Sequence, residues 1–157
     1  MEVKTDVLHL VIDSEGASIV QADLLPFKDH GQQDRAMRLL DESKDRVYLA
    51  QSGLITAEAG AQVPTHKTPM RLVSKDTELK EGQDKLELVF ESDVVGGVQL
   101  VKRYVLQRGQ YLIGTQFEAI NKGSATVTPQ LYVQLVRDGN KPVGESSFYS
   151  TFTGPAI

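Results

Sequence analysis

An all-β, antiparallel fold is predicted by three observations on the 157-residue chain. Leu86, Leu88 and Phe90 alternate with Glu87 and Glu91, the period of two that marks a strand with one face buried. Glycines punctuate the alternating runs at Gly96-Gly97, Gly109 and Gly123, where hairpin turns need positive φ. No stretch joins an i, i+3, i+4 apolar pattern to a capping start over the length a helix needs.

The elements follow in order. Met1 to Ile12 reads as one extended segment, with Leu8, Leu10 and Ile12 on one face and Val7, His9 and Val11 on the other, a strand covered on both sides or a strand edge tucked under a loop. Asp13 to Gly16 turns the chain. The partner strand Ala17 to Leu25 carries Val20, Ala22 and Leu24 in phase and stops at Pro26, which has no N–H for a ladder. Phe27 to Ala36 is polar and reads as a surface loop, Met37 to Leu40 as a short strand, and Asp41 to Asp45 as a charged turn. Arg46 to Ser52 alternates again and is expected to end at Gly53, with Leu54 and Ile55 continuing it only through a bulge. Thr56 to Pro69 has no periodicity and, being long for a compact domain, is either a surface excursion or the site of something functional, the surface excursion being the favoured reading. Met70 to Val73 resumes a strand.

Leu86 to Val136 then reads as a four-strand antiparallel meander. Its second strand carries Val98, Leu100, Tyr104 and Leu106 on one face. Its third carries Tyr111, Ile113, Phe117 and Ala119, and its fourth carries Val127, Leu131, Val133 and Leu135. Beyond Val136 come turn-forming residues 137–142 and a strand start at Ser147 to Phe152. The rhythm then breaks off as though within a larger domain. Residues 1–157 are read as a single β-sandwich domain, the N-terminal half of a longer one.

Composition narrows the function classes. The chain is long enough for a core without staples. It has no cysteine, hence no disulfide, cysteine-ligated zinc or thiol nucleophile. Seventeen Lys and Arg stand against 21 Asp and Glu, a net charge of −4 with no basic block, which argues against a nucleic-acid groove. No apolar run approaches the roughly 20 residues of a membrane span, and no signal segment follows Met1. As written, the sequence is expected to be soluble, with any leader or anchor outside it.

The candidate chemistry is sparse. His9, His30 and His66 are not spaced as a local metal pair. Asp6, Asp13, Glu87, Glu91 and Glu118 would act as acid and base only if folding joined two of them in a cleft, and the strand glutamates fall on the polar phase. There is no Gly-x-Ser-x-Gly elbow, and no glycine opens a helix that would cradle phosphate. No catalytic, cofactor-binding or metal-ligating residue is therefore assigned. Unpaired sheet edges are the feature left, because they invite strand addition.

A family resemblance is carried by residues spread through the chain. They are Val3-Lys4-Thr5-Asp6-Val7-Leu8, Gly16, Leu24-Leu25-Pro26, Tyr48-Leu49-Ala50-Gln51-Ser52-Gly53-Leu54 and Leu79-Lys80-Glu81-Gly82-Gln83. Further on they are Lys102 to Tyr111, Asn121-Lys122-Gly123 and Phe148 to Gly154. In order and spacing these resemble the large periplasmic domain of the YidC family of bacterial inner-membrane protein insertases; Thr56 to Pro69 matches the family poorly. The resemblance implies a galactose-mutarotase-like β-supersandwich on the periplasmic face of the inner membrane. It implies a non-catalytic, cofactor-free accessory or chaperone-like module of membrane protein insertion, since the family's inserting activity belongs to its transmembrane helices. The implied partners are SecD and SecF of the Sec translocon and the inserting membrane proteins, with the SecF-contacting region largely beyond Ile157. The alternative is a carbohydrate-binding or aldose-epimerase-like sandwich, although no epimerase role maps onto His9, His30 or His66, and fold does not transfer chemistry.

Overall fold

The structure, a computed structural model, describes residues 1–29 and 34–140. The described residues form ten strands: β1 (Glu2–Lys4), β2 (Leu8–Ile12), β3 (Ile19–Lys28), β4 (Ala36–Glu42), β5 (Val47–Ile55), β6 (Met70–Leu72), β7 (Lys85–Ser92), β8 (Val98–Gln107), β9 (Ile113–Asn121) and β10 (Gln130–Arg137). No helix occurs among the described residues. One sheet has the order β1-β2-β3-β4-β5-β10 and the other β6-β7-β8-β9. Every strand pairing is antiparallel, and the sheets share one core between their inner faces. The all-β antiparallel sandwich expected from the alternation is the fold observed.

The centre of the second sheet follows the sequence closely. Leu86, Leu88 and Phe90 on β7 and Val98, Leu100, Tyr104 and Leu106 on β8 are all buried, each large aliphatic contributing roughly 1.5–3 kcal/mol by leaving water. Gly96 and Gly97 both have positive φ, 57° and 83°, and Val95 and Val98 exchange backbone hydrogen bonds of 2.8 and 3.0 Å across them, the two-residue turn that Gly-Gly favours. The inward phase of β8 also includes Lys102, which is fully buried.

Five expectations are corrected. Met1 to Ile12 is a hairpin, β1 and β2, rather than one strand: Thr5 Oγ1 accepts the N–H groups of Val7 and Leu8 at 3.2 and 3.0 Å, a side-chain turn that competes with extension. β3 runs through Pro26 to Lys28, because its register with β4 breaks between Leu24 and Lys28 and no ladder bond is asked of the proline. β5 passes Gly53 to Ile55 without a bulge, paired residue by residue with β10. Tyr111 precedes β9, which starts at Ile113.

The fifth correction is topological. The fourth strand of the expected meander, β10, leaves β9 and joins the other sheet beside β5 over eight paired positions, Gln130↔Ile55 to Arg137↔Tyr48. The connection 122–129 is longer than a hairpin turn, and Pro129 closes it against the start of the strand; a link of that length is free to change sheets. The strand start expected at Ser147 to Phe152 lies outside the described residues.

Candidate interaction surface

The residues with chemical potential are dispersed and already engaged. His9 lies on the outer face of β2, its Nδ1 3.3 Å from Asp23 Oδ2 and its Nε2 3.7 Å from Glu2. Asp23 also accepts Arg38 Nε at 2.7 Å, Arg38 Nη2 at 3.3 Å and Gln21 Nε2 at 2.6 Å. Burial raises the Asp23 carboxyl, but the hydrogen bonds from Arg38, Gln21 and His9 outweigh it and hold the carboxyl below its ordinary value. That stabilisation is present above the ordinary carboxylate range and is lost as pH falls through the lowered pKa. Replacing Arg38 with Met leaves a buried carboxylate short of its main partner. Urea denaturation is expected to show a loss of about 2 kcal/mol at neutral pH, with a smaller difference from the parent in acid.

His66 turns to Tyr132 on β10, whose hydroxyl accepts the His66 backbone N–H at 3.0 Å and sits 2.5 Å from Nδ1. His30 lies outside the described residues. Asp6 caps the Gly109 N–H through both oxygens, and Asp13 accepts the N–H of Glu15. Glu87 pairs with Lys85 and Arg103 at 2.5 and 3.0 Å, the Lys85 contact foremost in holding its carboxyl below the ordinary range. Glu91 faces Arg71 at 3.6 Å. Glu118 stands exposed on β9. The bonds of Asp6, Asp13, Glu87 and Glu91 go to turns and cations rather than to one another, so no acid–base pair is assembled from them. Among the described residues no group of three or more potential ligands is gathered for a metal.

A depression of about 350 Å³ on the outer side of β3 and β4 has the charges Asp23, Asp29, Arg35, Arg38, Asp41 and Arg46 in its wall. Arg38 is spent on Asp23 and Asp41, and Arg46 on the carbonyls of Arg38 and Leu39. Asp29 and Arg35 are engaged as well. This arrangement braces the sheet.

The unsatisfied surface lies at the sheet edges. Directly paired residues in an antiparallel ladder share a face, so Leu131, Val133 and Leu135 face the same way as their partners Leu54, Ser52 and Ala50. Leu54 is 3% exposed, yet Leu131, Val133 and Leu135 are 48%, 67% and 65% exposed. The inner face of β10 thus runs past the core into solvent. β9 shows the same arrangement less strongly, with Phe117 and Ala119 opposite Lys102 and Leu100: Phe117 is half-buried and Ala119 exposed.

The other two edges are protected. β1 is flanked by residues 77–79, with Lys4 N–H on Thr77 O at 3.0 Å and Leu79 N–H on Lys4 O at 2.9 Å, and β6 has three residues. β9 and β10, nine and eight residues long, end their sheets, and β10 carries no charge from Gln130 to Val136. A long, uncharged edge lacks two of the usual devices against strand addition, shortness and charge. The alternating phase of 131, 133 and 135 is visible in the sequence; their exposure is not, because the sequence does not show which sheet the strand joins.

Fold and surface together define an antiparallel β-sandwich domain whose open apolar edges are its conspicuous feature. A family model described as the YidC periplasmic domain matches residues 1–157. The chain is 48% identical over 155 residues to the membrane protein insertase YidC of Bordetella petrii, covering 99% of this chain and 27% of that protein. It is 44% identical to the YidC of Bordetella pertussis and 42% identical to that of Ralstonia nicotianae, covering 99% of this chain and 27% and 26% of those proteins. The chain belongs to the YidC periplasmic domain family. It spans about a quarter of the length of these relatives. The matches bear out the insertase-family reading over the carbohydrate-binding one. Among the described residues, no helix is long and apolar enough to cross a membrane.

Proposed function

We propose that this chain is the N-terminal half of the periplasmic domain of a membrane protein insertase, standing on the periplasmic face of the bacterial inner membrane as a non-catalytic, accessory recognition module. The observation that carries this reading is the uncharged edge of β10 with its uncovered apolar inner face. Such a surface is suited to receive an extended segment, backbone bonds supplying affinity and alternate apolar side chains supplying register. Its partners, by the family resemblance, are the Sec accessory subunits SecD and SecF and inserting membrane proteins.

The test is binding of the periplasmic regions of SecD and SecF to this chain and to the complete periplasmic domain, side by side, each with and without Val133→Glu. Val133 is two-thirds exposed, so the substitution is expected to leave thermal stability nearly unchanged while weakening binding by about tenfold or more through a charge on the apolar face. Comparable binding by both proteins, lost with the substitution, supports recognition at β10. Binding by the longer domain alone places recognition beyond residue 157 and makes these residues scaffold.

A further inference from the structure

We infer that residues 61–69 form a strap that latches the edge strand β10 to the closed core, so that strap and edge open and close as one unit. This goes beyond the proposed recognition role and does not depend on which partner, if any, the edge receives.

The strap is seated by glycines from three distant parts of the chain. A Cβ on Gly16 would stand 2.1 Å from the carbonyl oxygen of His66, one on Gly53 would stand 2.6 Å from the His66 nitrogen, and one on Gly96 would stand 1.9 Å from the carbonyl oxygen of Gln62. Each obstacle is backbone, so the strap lies in a notch that only missing side chains create. Hydrogen bonds hold it there: Gly16 N–H donates to Thr68 O and Leu54 N–H to Pro64 O, both at 2.9 Å. β5 meets β4 at Val47 and Tyr48 and β3 at Ala50. Beyond those positions the strap takes the place of a neighbouring strand beside Leu54. Val63 and Pro64 are buried, so the segment is anchored by apolar surface as well.

From this seat the strap reaches β10. The His66 backbone N–H donates to the Tyr132 hydroxyl at 3.0 Å, and the two rings meet edge to face with centroids 5.9 Å apart. A second tie lies just outside both elements, where Thr128 Oγ1 donates to Glu58 Oε1 at 2.9 Å and the Glu58 carbonyl accepts the N–H of Ala61 at the start of the strap at 3.2 Å. On its far side β10 pairs with no strand among the described residues. The β5 ladder and these ties are therefore what fix the exposed apolar edge in place, and the strap is the link between that edge and the turns at Gly16 and Gly96.

Hydrogen exchange on the intact chain tests the coupling, since cooperative units reveal themselves by amides that open together. Tyr132→Phe removes the hydroxyl without removing the ring. It is expected to accelerate exchange by about fivefold at β10 and at the strap-bound amides of Gly16, Leu54 and His66 together, while β7 and β8 keep their protection. Thr128→Val removes the other tie from a residue outside β10 and should produce the same joint response. Acceleration of β10 alone or of the strap alone, no change in either, or an equal rise across β7 and β8 would each overturn the inference.

Discussion

Gly16→Ala is expected to cost about 3–5 kcal/mol of folding stability, a large loss for the addition of a single methyl group. Two effects add. Gly16 has φ +66°, a conformation in which any L side chain is strained by roughly 1–2 kcal/mol. The new Cβ would also stand 2.1, 2.6 and 2.7 Å from the O, C and Cα of His66, all backbone atoms that move only if the strap lifts, which breaks the Gly16 to Thr68 hydrogen bond. Gly82→Ala separates the two effects. Its φ is +79°, but nothing lies within 4 Å of the added Cβ, so only the conformational cost of about 1 kcal/mol applies. Chemical denaturation of both variants gives the comparison. Equal losses would mean that the strap yields freely and the notch stores nothing.

That notch marks where sequence reading stopped. β7 and β8 were legible because their alternation is unbroken and Gly96-Gly97 sits between them, so local chemistry and global pairing agree. Residues 56–69 read as a surface excursion because they have no period, and period is the signal that betrays a buried segment. Their order comes from Gly16, Gly53 and Gly96, which each look like ordinary turn or strand-end glycines until the fold brings them together. β10 failed differently. Its apolar phase was read correctly, but a period of two names the buried face and is silent on the neighbouring strand, so a hairpin with β9 was assumed where β5 is the partner. The candidate surface was legible as unprotected sheet edges and not as a particular edge. Protection of β1 by residues 77–79 and exposure of β10 are both facts of three-dimensional pairing. Lys102 was the one residue whose position the alternation did reveal, since 98, 100, 102, 104 and 106 share a phase; its charge hid it from a search for apolar positions.

Lys102 should make the protein more stable as the solution becomes alkaline, the reverse of the usual trend. The side chain is 0% exposed and reaches from β8 across the core to the other sheet, its Nζ donating to Gly16 O and, at 2.7 Å, to Ser52 O, with the Phe117 ring 5.9 Å away. It thus holds the backbone beside two of the strap's glycine seats. Burial pushes its pKa down from 10.5 to about 8. Below pH 8 the folded and unfolded chains both carry the proton, and the folded state bears the full cost of a desolvated charge. Between pH 8 and 10.5 the unfolded chain binds more protons than the folded one, so stability rises with pH. From pH 7 to pH 10 this single group is expected to add about 2 kcal/mol. Above pH 10 the trend reverses, because burial pushes the Tyr104 phenol well above its ordinary value and the unfolded chain then loses that proton first. Lys102→Met removes the titrating group and should flatten the rise between pH 8 and 10 while leaving the Tyr104 decline. The same substitution strips the Gly16 and Ser52 carbonyls of their ammonium partner, so at neutral pH it trades a relieved desolvation cost against hydrogen bonds lost. The difference in pH dependence between parent and variant is therefore the decisive reading, and parallel profiles from pH 7 to 10 would show that the Lys102 ammonium is as well solvated by its two carbonyls as by water.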